Sequence, residues 1–128
     1  MNKIDWAYIK FFTRDEFKCK CGCECDNVSI LFLERLIEAR QIADIPFIIT
    51  SGCRCKKYND EVGGTEKSAH LCSKHIPCYA SDIKCKTDRQ RFIIIQALID
   101  VGFTHLGISK KDLFIHVDDD KRKAIWIY

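Results

Sequence analysis

The sequence predicts an α+β domain in which a small antiparallel sheet packs against two main helices. Three observations carry that expectation. Two segments, Ser29 to Ile42 and Thr87 to Gly102, repeat apolar residues at helical spacing. Phe47 to Thr50, Ile83 to Cys85, Leu113 to Val117 and Ala124 to Tyr128 are short runs rich in β-branched or aromatic residues, as strands should be. A chain of 128 residues makes one domain, long enough to bury about two-thirds of its unfolded surface.

Composition narrows the partners. Hydrophobic residues make up 47% and charged residues 30%, the balance of an ordinary globular protein. The net charge of +3 is small and its basic residues are interspersed with acidic ones, so no nucleic-acid footprint is expected. No run of about 18 apolar residues exists, so no membrane span is expected. Asp5 and Lys10 break the opening segment, which argues against a secretory leader and for synthesis in a cytoplasm. Nine cysteines are many, and an odd number cannot all pair internally. The expected state is reduced or metal-bound.

In chain order, residues 1–16 read as an aromatic-rich N-terminal arm or short strand. Its Thr13-Arg14-Asp15-Glu16 is a capping box opening one helical turn before Phe17. Cys19, Cys21, Cys23 and Cys25 then alternate. In an extended strand alternation sends neighbouring thiols to opposite faces, so a four-thiolate site from this run alone is not expected. Two of them could join Cys53, Cys55, Cys72, Cys78 or Cys85 in a second metal site or a disulfide, or the run could be a turn with buried small thiols.

The first long helix carries Ile30, Leu33, Leu36 and Ile37 on its apolar face, with Asn27 or Ser29 as cap and Asp44 with Pro46 as exit. Phe47 to Thr50 follows as a buried strand, delivering Arg54 to the next loop. After the alternating Ile83 and Cys85, Thr87 to Gln90 form a second capping box. The helix it opens runs through Phe92, Ile93, Ile95, Leu98 and Ile99 to Gly102, which stops it, and so many apolar residues imply a central packing helix. Leu113 to Val117 is a strand on which His116 and Asp118 face away from Ile115 and Val117. Ala124 to Tyr128 forms a last edge strand, with Trp126 and Tyr128 packed against the domain.

Three separated segments each present one potential metal ligand beside strand-forming residues: His70 after Gly63-Gly64, Asp82 in Tyr79-Ala80-Ser81-Asp82-Ile83, and His116 in Phe114-Ile115-His116-Val117-Asp118. Two imidazoles and one carboxylate leave a coordination position open, which suits a catalytic Zn2+.

The series Ser51-Gly52-Cys53-Arg54, Tyr58-Asn59, Val62-Gly63-Gly64, Ser68-Ala69-His70, Ala80-Ser81-Asp82-Ile83 and Phe114-Ile115-His116-Val117-Asp118 resembles the zinc D-alanyl-D-alanine carboxypeptidases, specifically their compact phage-type and prophage-type members. The metal site is also similar to that of the hedgehog signalling domain. The likeness covers the chain from about Phe17 onward. It implies a zinc peptidase cutting peptidoglycan stem peptides, as carboxypeptidase or endopeptidase, in a phage or prophage setting with action at the wall after release. It further implies that Arg54 binds a substrate carboxylate or steadies developing negative charge, a task suited to a planar guanidinium.

Two points depart from the family pattern. The family places its first histidine seven positions before the aspartate, whereas His70 stands twelve before Asp82 and His75 stands seven before it. Spacing from Gly63-Gly64 favours His70 and spacing to Asp82 favours His75. The balance falls on His70, because residues inserted into a turn between paired strands cost little. The family's proton acceptor sits three or five residues before the last histidine, positions held here by Leu113 and Lys111. Asp112 could serve if the strand bulges, His105 could reach in from its own loop, and Asp118 is better suited to orienting an imidazole. The alternatives are a catalytically impaired, zinc-stabilised module that binds cell wall or a protein, and a small cysteine-centred metalloprotein.

Overall fold

The computed structural model describes residues 4–128; residues 1–3 of the predicted arm lie outside the described residues. The described part of the arm, residues 4–16, forms no strand. A 3-10 turn at Trp6–Tyr8 is capped by Asp5, and the ring of Trp6 stacks on Phe17. One turn of helix, α1 (Arg14–Phe17), follows. The Glu16 carboxylate reaches back to the Thr13 N–H at 3.0 Å, the reciprocal bond of a capping box.

The two long helices are α2 (Ile30–Ala43) and, after the six-residue α3 (Lys56–Glu61), α4 (Asp88–Asp100). Ser29 caps α2 and Asp44 ends it in the left-handed conformation. Thr87 caps α4. The two helices pack on each other, burying Phe32, Leu33, Leu36 and Ala39 of α2 with Ile94, Ala97 and Leu98 of α4. No helix among the described residues is long and apolar enough to cross a membrane.

Five strands, β1 (Ile49–Ser51), β2 (Ala80–Lys84), β3 (His105–Ser109), β4 (Phe114–Asp118) and β5 (Ala124–Ile127), form one sheet in the order β1-β2-β4-β3-β5. All neighbours are antiparallel except β3 and β5, which run parallel. The sheet is therefore mixed rather than purely antiparallel. Both edges of β4 are already taken by β2 and β3, so the returning chain steps past β3 to its free edge. Having just reversed direction relative to β4, it runs the same way as β3.

The sheet divides chemistry by face. Ile83, Leu106, Ile115 and Val117 are buried in the helix-packed core. Their alternates, Asp82 on β2, His105 and Gly107 on β3, and His116 and Asp118 on β4, share the other face. Cross-strand register places Asp82 directly opposite His116, Gly107 opposite His116 and His105 opposite Asp118.

One cysteine pair departs from the reduced or metal-bound state expected, and it takes the alternative left open for the 19–25 run, a disulfide to a distant cysteine. Cys25 and Cys72 form a disulfide. The 71–79 loop returns alongside the segment before α2, where Cys78 N–H donates to the Asn27 carbonyl and Ser29 N–H to the Cys78 carbonyl, both at 2.8 Å. Cys72 thereby clips the loop to Cys25, while Cys78 keeps a free thiol.

Candidate metal centre

His70 is brought to the sheet by the loop after α3. Buried Asn59 organises that loop: its amide donates to the Thr65 carbonyl at 2.9 Å. Arg54 N–H then donates to the His70 carbonyl at 2.7 Å, and Cys72 N–H donates to the Arg54 carbonyl at 2.8 Å. The backbone on both sides of Leu71, from the His70 carbonyl to the Cys72 N–H, is thus tied to Arg54.

Three donor atoms converge. His70 Nε2 lies 3.2 Å from His116 Nδ1 and 3.3 Å from Asp82 Oδ1, while His116 Nδ1 lies 3.0 Å from Asp82 Oδ1. Metal–ligand bonds of about 2.0–2.1 Å around a tetrahedral ion separate its donors by about 3.3 Å. The triangle fits a zinc ion with little adjustment, and the donor set of two imidazoles and a carboxylate suits it chemically. His75, by contrast, is exposed on the 71–79 loop and does not line the cleft over these atoms.

Both imidazoles are oriented by their other nitrogen. The Gly52 carbonyl can only accept, so His70 Nδ1–H donates to it at 2.7 Å and leaves Nε2 for a metal. His116 Nε2 donates to Asp118 Oδ2 at 2.7 Å, directing Nδ1 inward. Asp118 also accepts from His105 Nδ1 at 2.9 Å and from the Asp120 N–H at 2.9 Å. Its carboxylate is saturated by orienting work. His105 is therefore not in a loop of its own but on β3, committed to Asp118.

In the metal-free chain these contacts shape the proton equilibria. Burial pulls the His116 pKa down, but the Asp118 and Asp82 carboxylates outweigh it and push it up to about 9. For Asp82 burial acts upward, and the hydrogen bonds from His116 and His70 prevail, holding it well below the ordinary carboxylate range. Asp118 is shifted in the same direction against its own burial, chiefly by His116. His116 Nδ1 faces both Asp82 Oδ1 and His70 Nε2, so a proton and a cation compete for the same nitrogen.

The centre opens into a cleft of about 530 Å³. Arg54, Lys67, Asp112, Arg122, Trp126 and Tyr128 are on its walls. Arg54 is fixed by Ser51 Oγ at 3.0 Å, Asn59 Oδ1 at 3.4 Å and Asp82 Oδ2 at 3.4 Å, so it touches the ligand carboxylate from behind. Asp112 needs no strand bulge: it precedes β4, in the turn from β3, where its N–H donates to Ser109 Oγ at 3.0 Å. Asp120 is held by Arg122, with contacts of 3.1 and 2.7 Å. Among the described residues, Asp112 is the cleft carboxylate with no hydrogen bond or ion pair to its oxygens.

Trp126, read from the sequence as a packing residue with sugar stacking as the alternative, lies against the imidazoles of the site. Its indole lies against His105 and His116, with ring centroids 4.6 and 5.4 Å apart. A Cβ at Gly107 would come within 2.5 Å of the indole, so glycine there is what lets the ring approach β3 this closely. A glycine at the centre of the five-residue β3, opposite Trp126 on the final strand, was the available signal.

Two imidazoles and one carboxylate at the floor of an open cleft, each imidazole fixed by a second hydrogen bond, form a possible metal site that leaves a position open, as a hydrolytic centre requires and a closed structural site does not. The sequence profile of peptidase M15 matches residues 10–118, and the chain belongs to that family. Peptidases of the family are zinc-dependent, in agreement with the donor set. No curated protein matches the chain.

Proposed function

We propose that this chain is a zinc peptidase that hydrolyses peptidoglycan stem peptides, as a D-alanine carboxypeptidase or an endopeptidase, with His70, Asp82 and His116 as the metal ligands. The observation that carries the reading is the donor triangle with edges of 3.0–3.3 Å, open on one side to a cleft that holds one uncommitted carboxylate and a fixed guanidinium. The peptidoglycan substrate follows from the family resemblance of the motifs.

Zinc bound there supplies a Lewis acid that polarises the scissile carbonyl and brings the pKa of water down to about 7. The remaining work belongs to the chain. Asp112 takes the proton from the attacking water and returns it to the leaving amine, as a free carboxylate on the cleft wall can. Arg54 meets negative charge, either the terminal carboxylate of a stem peptide or the charge developing on the carbonyl oxygen. Its bond to Asp82 Oδ2 also keeps the carboxylate turned so that Oδ1 faces the imidazoles. Asp118 holds His116 in the tautomer that presents Nδ1. Trp126 shields this imidazole–carboxylate relay from water on the β5 side.

The test is digestion of purified peptidoglycan by the zinc-loaded chain, with released D-alanine and cleaved crosslinks resolved by mass spectrometry. Products should appear with wild type and vanish with His116→Ala. Equal release by both would end the hydrolytic reading. Retention on peptidoglycan without products would favour a zinc-stabilised wall-binding module.

A further inference from the structure

The cysteines nearest the amino terminus do not lie on an extended strand. Residues 20–23 form a turn, closed by the Cys19 N–H donating to the Cys25 carbonyl at 2.7 Å. Gly22 at its centre has φ +92°, a left-handed conformation that glycine adopts without strain. The turn folds Cys19, Cys21 and Cys23 onto one side, and Cys55 arrives from the segment just before α3. All four sulfurs lie within 4.8 Å of one another.

We propose that Cys19, Cys21, Cys23 and Cys55 form a second, structural metal site that holds zinc as a tetrathiolate. Zinc–sulfur bonds of about 2.3 Å in a tetrahedron separate the sulfurs by about 3.8 Å. Cys19 Sγ stands 3.5 Å from Cys21 Sγ, and Cys21 Sγ stands 3.6 Å from Cys55 Sγ. Backbone N–H groups already point at two of them, from Cys55 to Cys19 Sγ and from Tyr58 to Cys55 Sγ, both at 3.4 Å. Such donors stabilise thiolates once a cation has displaced their protons. Four protein sulfurs fill a tetrahedron and leave no position for water, so the site holds structure and does no chemistry. The other free thiols do not compete: Cys53 is buried against Cys78 and Cys85 is buried beside α4, its thiol bonded to the Thr87 carbonyl.

The consequence reaches the cleft. Cys55 follows Arg54 directly, so an ion here staples the amino-terminal turn to the segment that positions the guanidinium and, through Arg54, the His70 backbone. The site shares no donor with the histidine centre, so metal content distinguishes the two.

The chain purified with reductant and dialysed against metal-free buffer after zinc loading should carry two zinc ions by elemental analysis. Cys21→Ser with Cys23→Ser should carry one, as should His70→Ala with His116→Ala. Cobalt substitution should give intense thiolate-to-cobalt charge transfer and the visible bands of a tetrahedral ion in wild type and in the histidine variant, but not in the serine variant. Should the serine variant fail to fold, the histidine variant decides: one ion with thiolate-to-cobalt bands sustains the site, and no ion overturns it. Equal zinc content in wild type and a folded serine variant also overturns it.

Discussion

The histidine centre and the cysteine cluster place donors by different means. At the first, Asp82 and His116 are paired by strand register, and a hydrogen bond to Gly52 or Asp118 fixes each imidazole. At the second, three of four donors sit on one tight turn, and the fourth comes from 32 residues beyond the last of them. A sheet-built site keeps its geometry when the metal leaves, because the ladder does not depend on the ion. A turn-built site has no such ladder, so its ion contributes to the fold itself. One region is arranged to use a metal and the other to be held by one.

The comparison breaks most visibly at His116. His116→Ala should remove the zinc of the centre and lower peptidoglycan hydrolysis by more than about 10⁴-fold, since a metal peptidase without its metal loses the greater part of its rate enhancement. The thiolate zinc should remain, while the melting temperature should fall, because the variant loses both the bound ion and the contacts of His116 with Asp82 and Asp118. A folded variant that still cleaves at the wild-type rate would show that the triangle is not the centre of catalysis.

Asp112→Asn comes next. It should keep both metals and lose about 10²–10⁴-fold in kcat, the range for removing a general base. Because the exposed side chain has no partner to lose, stability should be unaltered. A variant with full activity would return the proton-acceptor role to another group. Asp118→Asn should act through the metal instead: zinc affinity at the histidine centre falls about 10- to 100-fold, as for other partners that orient a ligating imidazole. Zinc competition against a chelator measures it, and unchanged affinity would mean that His116 is held by packing alone.

These differences also explain what could be read from the sequence. Alternation along 114–118 put His116 and Asp118 on one face because side-chain direction in a strand is local information. The two long helices were equally legible from their apolar spacing and caps. His70 against His75 was not, because both spacings fit and only the return of the 71–79 loop along the α2 entrance shows which residue reaches the sheet. The parallel pairing of β5 was hidden for a related reason: it depends on which sheet edge remained free. Alternation misled at Cys19 to Cys25, where Gly22 and a single hydrogen bond from Cys19 to Cys25 turn a strand-like pattern into a knot of thiols.

The smallest effect separates register from metal most finely, and it lies in the pH dependence. In the metal-free chain His116 is pushed up to about 9, above the value of about 6.5 for an unfolded histidine. Its interactions with Asp82 and Asp118 therefore stabilise the metal-free fold fully below about pH 6.5, and that contribution is lost as pH rises through about 9. Zinc needs the same nitrogen unprotonated, so its affinity should move oppositely, weakening about tenfold for each unit the pH falls below about 9 until other groups titrate. Titrations at pH 7 and 8 in buffers of different ionisation enthalpy should show about one proton released per zinc bound at this centre. Affinity flat across that interval would mean that the imidazole is already neutral and the triangle already empty of its proton. The thiolate site, studied alone in the His70→Ala, His116→Ala variant, should release more than one proton per ion, because several of its donors start as thiols.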